Sequence, residues 1–79
     1  MGIKKTIKKL LTEPVEMRLD EVQSILAYLG YELHRINGSH FQFKKGNIHL
    51  ITIPVHQLKV TKYYLKLIKS IIIKAQFNF

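Results

Sequence analysis

The chain has no cysteine, no tryptophan and no acidic residue beyond position 32. Without cysteine, disulfides and thiolate metal sites are excluded. No run of about eighteen uncharged apolar residues occurs, so no segment reads as a membrane span. The N-terminal residues lack the unbroken apolar core of a secretion signal, and the expected location is the cytoplasm. Asn37-Gly38-Ser39 fits the glycosylation acceptor pattern, but in that setting it reads as turn chemistry. The glycines are few and isolated, so no phosphate-cradling loop is present. Neither an internal repeat nor a low-complexity stretch interrupts the 79 residues. That length predicts a single domain, residues 1–79, with a limited core that gains from a partner. Within it, residues 1–12 read as a basic amphipathic extension and 13–79 as the core.

What the chain does have is one-sided charge. The net charge is +8, and the five acids (Glu13, Glu16, Asp20, Glu21 and Glu32) all precede residue 33. From there on only Arg35, Lys44, Lys45, Lys59, Lys62, Lys66, Lys69 and Lys74 carry fixed charge. Such a balance suits a polyanionic partner, either a nucleic acid or an acidic protein. A surface that is merely well solvated would look the same.

Hydrophobic spacing predicts the elements. Ile3, Ile7, Leu10 and Leu11 share one side of a short helix over 3–11, with lysines around the rest. Thr12-Glu13-Pro14 ends it, and Pro14 to Arg18 reads as a loop or extended link. A second helix spans Leu19 to Leu29, with Asp20 and Glu21 in its first turn and Gly30 closing it. Three strands follow, Tyr31–Ile36, His40–Lys44 and Ile48–Ile53, joined by glycine-bearing turns in an antiparallel meander. The first turn is read at Asn37-Gly38. Pro54 ends the third strand, and a last helix covers Lys59–Lys74. Its apolar side is Val60, Tyr64, Leu67, Ile68 and Ile71, and its basic side is Lys59, Lys62, Lys66 and Lys69. Ile71-Ile72-Ile73 wraps apolar surface around that helix and could meet a second chain. The order predicts an α+β fold, a three-stranded antiparallel sheet with helices packed on one face and an extra short N-terminal helix.

Candidate chemistry narrows to the histidines. No His-x-x-x-His pair or carboxylate cluster accompanies them, so neither a metal site nor any cofactor is expected. A serine–histidine–acid set is not evident either, since Ser39 and His40 are strand neighbours that point apart. Phe41 and Phe43 alternate with His40, Gln42 and Lys44. The phenylalanines therefore read as core rather than as base-stacking platforms, and His40 faces the other way at the tip of a hairpin. A neutral imidazole can take the proton of a ribose 2′-hydroxyl, while Arg35, Lys44 and Lys45 flank the hairpin as phosphate contacts. The same residues also suit RNA binding without chemistry. His34 and His49 read as strand residues, and His56 as either a structural or a substrate-binding residue.

Gly30-Tyr31-Glu32-Leu33, Gly38-Ser39-His40-Phe41, Ile51-Thr52-Ile53-Pro54-Val55-His56 and Val60-Thr61-Lys62-Tyr63-Tyr64-Leu65-Lys66 resemble the HicA family of toxin mRNA interferases. The resemblance covers about residues 12 to 74, in the family's order and spacing. It implies a fold like the double-stranded RNA-binding domain. It also implies metal-independent cleavage of mRNA and inhibition by a cognate HicB-like antitoxin, with any oligomer forming through that complex. On this resemblance the catalytic histidine falls on His40 and the turn glycine on Gly38, and His56 matches a second recurrent histidine. Gly38, Ser39, Arg35, Lys44, Lys45, His56 and Lys59 are then the RNA-binding candidates. The helix over 3–11 lies outside the resembling core, and Val60-Thr61-Lys62 stands where many members have Gly-Thr-Leu. Two other functions fit the composition: a non-catalytic double-stranded RNA-binding module, and a protein-interaction domain for an acidic partner.

Overall fold

A computed structural model describes residues 2–47 and 49–75. The elements are α1 (Ile3–Leu11), β1 (Glu16–Arg18), α2 (Leu19–Tyr28), β2 (Glu32–Asn37), β3 (His40–Lys45), β4 (His49–Pro54), β5 (Lys59–Thr61) and α3 (Lys62–Lys74). Strands β2, β3 and β4 form an antiparallel sheet in that order, and β1 pairs with β5 in a separate antiparallel ribbon. The helices lie on one face of the three-stranded sheet, which is the α+β arrangement expected. Position 48, where the third strand was expected to start, lies outside the described residues.

The ribbon corrects two expectations. Glu16–Arg18 is a strand, and Lys59–Thr61 is its partner rather than the first turn of the last helix. Met17 and Val60 face each other in the ribbon and both are buried. Burying these two side chains contributes about 1.5–3 kcal/mol each, so a three-residue strand is worth forming here. With its start moved to Lys62, α3 also turns a different stripe inward. Leu65, Ile68 and Ile72 are buried, Tyr64 and Ile71 are half-buried, and Leu67 is exposed.

One hydrophobic cluster joins all the layers. Ile7 and Leu10 of α1 meet Val22, Ile25 and Leu26 of α2, the α3 stripe, and Phe43, Ile51 and Ile53 from the sheet. The N-terminal helix is therefore part of the core. It is tied down by Lys9, whose ammonium donates to both carboxylate oxygens of Glu21 at 2.9 and 3.1 Å. Glu21 is only 7% exposed, and its second support is the backbone N–H of Arg18 at 3.2 Å. Burial alone raises this carboxyl's pKa and is the largest single influence. The hydrogen bonds from Lys9 and Arg18 and their charges outweigh it, and the net position is below the ordinary value.

Two turns set up the site. The β2–β3 hairpin pairs Asn37 with His40, so its two loop residues are Gly38 and Ser39, one position later than the sequence suggested. Gly38 takes φ +62°, which glycine adopts at little cost. The β4–β5 connection is a second two-residue hairpin. His56 and Lys59 exchange both backbone hydrogen bonds, at 3.1 and 3.0 Å. Between them Gln57 and Leu58 both have positive φ, 54° and 62°, with no glycine or asparagine to ease it.

Candidate nucleic-acid interface

The register sorts every sheet residue onto one of two faces. Phe41 pairs with Ile36 and Ile53, and Phe43 with Leu33 and Ile51; these side chains share the helix-covered face. The opposite face carries His40 between Asn37 and Pro54, Gln42 between Arg35 and Thr52, and Lys44 between Glu32 and Leu50. A bulge in β2 falls between Leu33 and Arg35. The extra residue, His34, lets Leu33 keep the covered face while Arg35 reaches the open one. In a regular strand without the bulge, Leu33 and Arg35, two positions apart, would occupy the same face, because strand side chains alternate.

His40 is exposed, as the alternation predicts, and stands one residue beyond the Gly38-Ser39 loop. Ser39 is anchored by its carbonyl, which accepts the backbone N–H of Val55 at 2.7 Å. That bond ties the hairpin tip to the segment leading to His56. His56 follows Pro54, His40's partner, by two positions, and it is exposed at the same end of the sheet. Gly38, Ser39, His40 and His56 thus lie at one end of the sheet.

The cations divide in a way the sequence alone does not reveal. Lys59 pairs with Glu16 at 2.8 Å, and Glu13 takes Lys69 at 3.5 Å and Lys66 at 4.0 Å. Three of the four lysines expected to form a basic helix face are therefore neutralised by acids from the chain before β2. Arg35, Lys44, Lys45 and Lys62 have no carboxylate within 4 Å among the described residues. Arg35 and Lys44 join His40 on the open face. Lys45 does not; being the next residue after Lys44, it falls on the covered side, with its ammonium 5.8 Å from the centre of the Tyr31 ring.

Gln42 and Thr52 are cross-strand partners on the open face, and the sequence reading passed over them. Strand alternation was the available signal, since Gln42 lies two residues from His40. The contact between Tyr31 and His49 has no local signal, because the partners are 18 residues apart. Among the described residues no three His, Asp or Glu side chains come together as a metal site. No described helix is long and apolar enough to cross a membrane.

A three-stranded antiparallel sheet with helices on one face and a cationic open face places the chain in the α+β class of folds like the double-stranded RNA-binding domain. The family model described as the HicA toxin of bacterial toxin–antitoxin systems matches residues 19–76, and the chain belongs to that family. Membership makes it the toxin component of a toxin–antitoxin pair and implies a cognate antitoxin as partner. No curated protein and no solved structure matches the chain.

Proposed function

We propose that this toxin is an endoribonuclease that cleaves mRNA, with His40 as its general acid–base residue. The observation that carries the reading is the exposed imidazole of His40 on a sheet face that also bears Arg35 and Lys44, two cations without carboxylate partners. In this reaction His40 takes the proton from a ribose 2′-hydroxyl as that oxygen attacks the adjacent phosphorus. The bond to the 5′-oxygen of the next nucleotide breaks, and that oxygen is protonated by the imidazolium or by water. The products are a 2′,3′-cyclic phosphate and a 5′-hydroxyl end. Arg35 and Lys44 are suited to offset charge on the phosphate oxygens. Gly38 and Ser39 would bring backbone close to the strand, and His56 would contact it beside the hairpin tip. Lys59, held by Glu16, and Lys45, on the other face, belong to the wider electrostatic field rather than to the reacting phosphate.

The chemistry needs no metal ion. Cleavage of RNA by the purified protein in the presence of a chelator, leaving cyclic phosphate ends, is the expected result. Loss of cleavage in chelator, with recovery on adding a divalent cation, would contradict the route.

Binding without cleavage is the competing reading. One observation favours it: no described residue hydrogen-bonds His40 to fix its ring, whereas a general base usually has an orienting partner. That reading expects salt-sensitive RNA affinity with no new ends on the RNA. In either case the antitoxin would act by covering the open face, whose cations would meet its acidic groups.

A further inference from the structure

On the helix side of the sheet, at the end away from His40, Tyr31, Lys45, His49, Ile71 and Lys74 line a cavity of about 300 Å³. We propose that this cavity is a phosphate pocket that holds the RNA strand several nucleotides from the scissile bond. The inference rests on the RNA-cleaving reading above and extends it to a second contact.

Two lysines and a histidine converge here, and no acid lines the cavity among the described residues. Neither Lys45 nor Lys74 has a carboxylate within 4 Å among the described residues. Like charges that share a concave site raise its potential and favour an anion. The lysine from β3 is also prepositioned. Its stem crosses Gly30, where an added Cβ would sit 3.3 Å from the Lys45 Cε, and its ammonium reaches over the Tyr31 ring. A side chain at position 30 would press on that stem, and the φ of +95° favours glycine there in any case.

Hydrogen-bonding groups complete the pocket. Tyr31 is 3% exposed, and its hydroxyl shares a 3.1 Å hydrogen bond with His49 Nδ1. Burial pushes the Tyr31 pKa upward, so the hydroxyl keeps its proton. With Tyr31 as donor, Nδ1 of His49 is occupied and Nε2 is the ring nitrogen left to meet a ligand. Ile71 adds an apolar wall suited to a ribose. Lysine point charges with a donor of this kind match a phosphate.

Geometry favours RNA over an acidic protein. Lys44 and Lys45 are consecutive and straddle the sheet, next to the Gly46-Asn47 turn that ends it. Positive charge therefore runs from Arg35, on the same face as His40, past Lys44 and round the end of the hairpin to the pocket. Five residues of strand separate His40 from Lys45, about 17 Å. A flexible chain with a charge at every link can follow that path.

The test is NMR of the His49 ring in the full chain, titrated first with inorganic phosphate and then with RNA oligonucleotides that carry or lack a 5′-phosphate. The His40→Ala variant is used in the RNA arms so that the RNA stays intact. Phosphate and RNA are expected to shift the His49 resonances. Lys45→Gln with Lys74→Gln should weaken RNA binding about tenfold and lower the salt slope by about one to two, and Lys45→Arg with Lys74→Arg should restore both. Tighter binding of the 5′-phosphorylated RNA identifies a terminal phosphate as the occupant; equal binding identifies an internal diester. A silent His49 while RNA is still bound, and still cut by the His40-containing protein, overturns the pocket and leaves the nuclease standing. A response to an acidic partner protein but not to RNA overturns it in favour of a protein contact. Absence of any cleavage by the His40-containing protein would instead sink the parent reading, whatever His49 does.

Discussion

Pro54 stands directly across from His40 on the neighbouring strand. The next pair outward, Ser39 and Val55, is hydrogen-bonded at 2.7 Å. Since hydrogen-bonded and non-bonded pairs alternate, His40 and Pro54 form a non-bonded pair, the kind in which side chains lie closest. A proline costs the ladder nothing there, because its missing N–H would point away from β3. The rigid pyrrolidine ring is therefore the imidazole's cross-strand neighbour and limits where it can swing.

The first prediction concerns that ring. Pro54→Ala should leave the fold intact and lower kcat/KM for RNA about threefold to tenfold, the scale of roughly 1 kcal/mol of lost positioning. Cleavage rates on one RNA, with circular dichroism as the check on folding, decide it. An unchanged rate would mean that Pro54 does not help to hold His40.

The second concerns the strained hairpin. Leu58 is 71% exposed and has φ +62°, and Gln57 beside it has φ 54°. A leucine there gains little burial and bears the cost of a left-handed backbone, about 1–2 kcal/mol. Replacing Gln57-Leu58 by Asn-Gly should stabilise the protein by about 1 kcal/mol and raise Tm by roughly 4–8 °C. A lower Tm would show that Leu58 makes a contact worth more than its strain.

The third concerns pH. The Glu21 carboxyl is held below its ordinary value of 4.5 in the folded protein. Its contribution is therefore complete above the unfolded value and is lost as pH falls through the folded one. At pH 7, Glu21→Gln should be less stable by about 1–3 kcal/mol, because Lys9 and the Arg18 N–H lose a charged acceptor. Below pH 4.5 the difference should shrink. Urea titrations at pH 7 and pH 3 check this, and a gap that is the same at both would contradict the ion pair's role.

Much of this architecture is readable from spacing alone. Phe41 and Phe43 declare their strand, Gly38 and Gly46 mark its boundaries, and Gly30 closes α2. The ribbon is not readable, for a physical reason. Val60-Thr61 runs directly into an amphipathic helix, so Val60 extends the helical pattern as easily as it starts a strand. Gln57-Leu58 hides the hairpin, because neither residue is a turn former. The α3 stripe was misplaced because Leu65, Leu67 and the three isoleucines at 71–73 leave apolar residues on nearly every side. Which of these turns inward depends on where the helix starts. At the site, nearness in sequence was a poor guide. Lys44 and Lys45 look equivalent until the register assigns them opposite faces, and Lys59 and Lys66 look free until Glu16 and Glu13 are found beside them.

The central claim is that the exposed imidazole of His40 performs the chemistry. His40→Ala should fold with a nearly unchanged Tm, since the side chain is exposed, and should still bind RNA and the antitoxin. RNA cleavage by the purified variant should fall by about 10²–10⁴, and its expression should no longer arrest growth. A folded His40→Ala protein that cleaves RNA at the native rate would contradict the account.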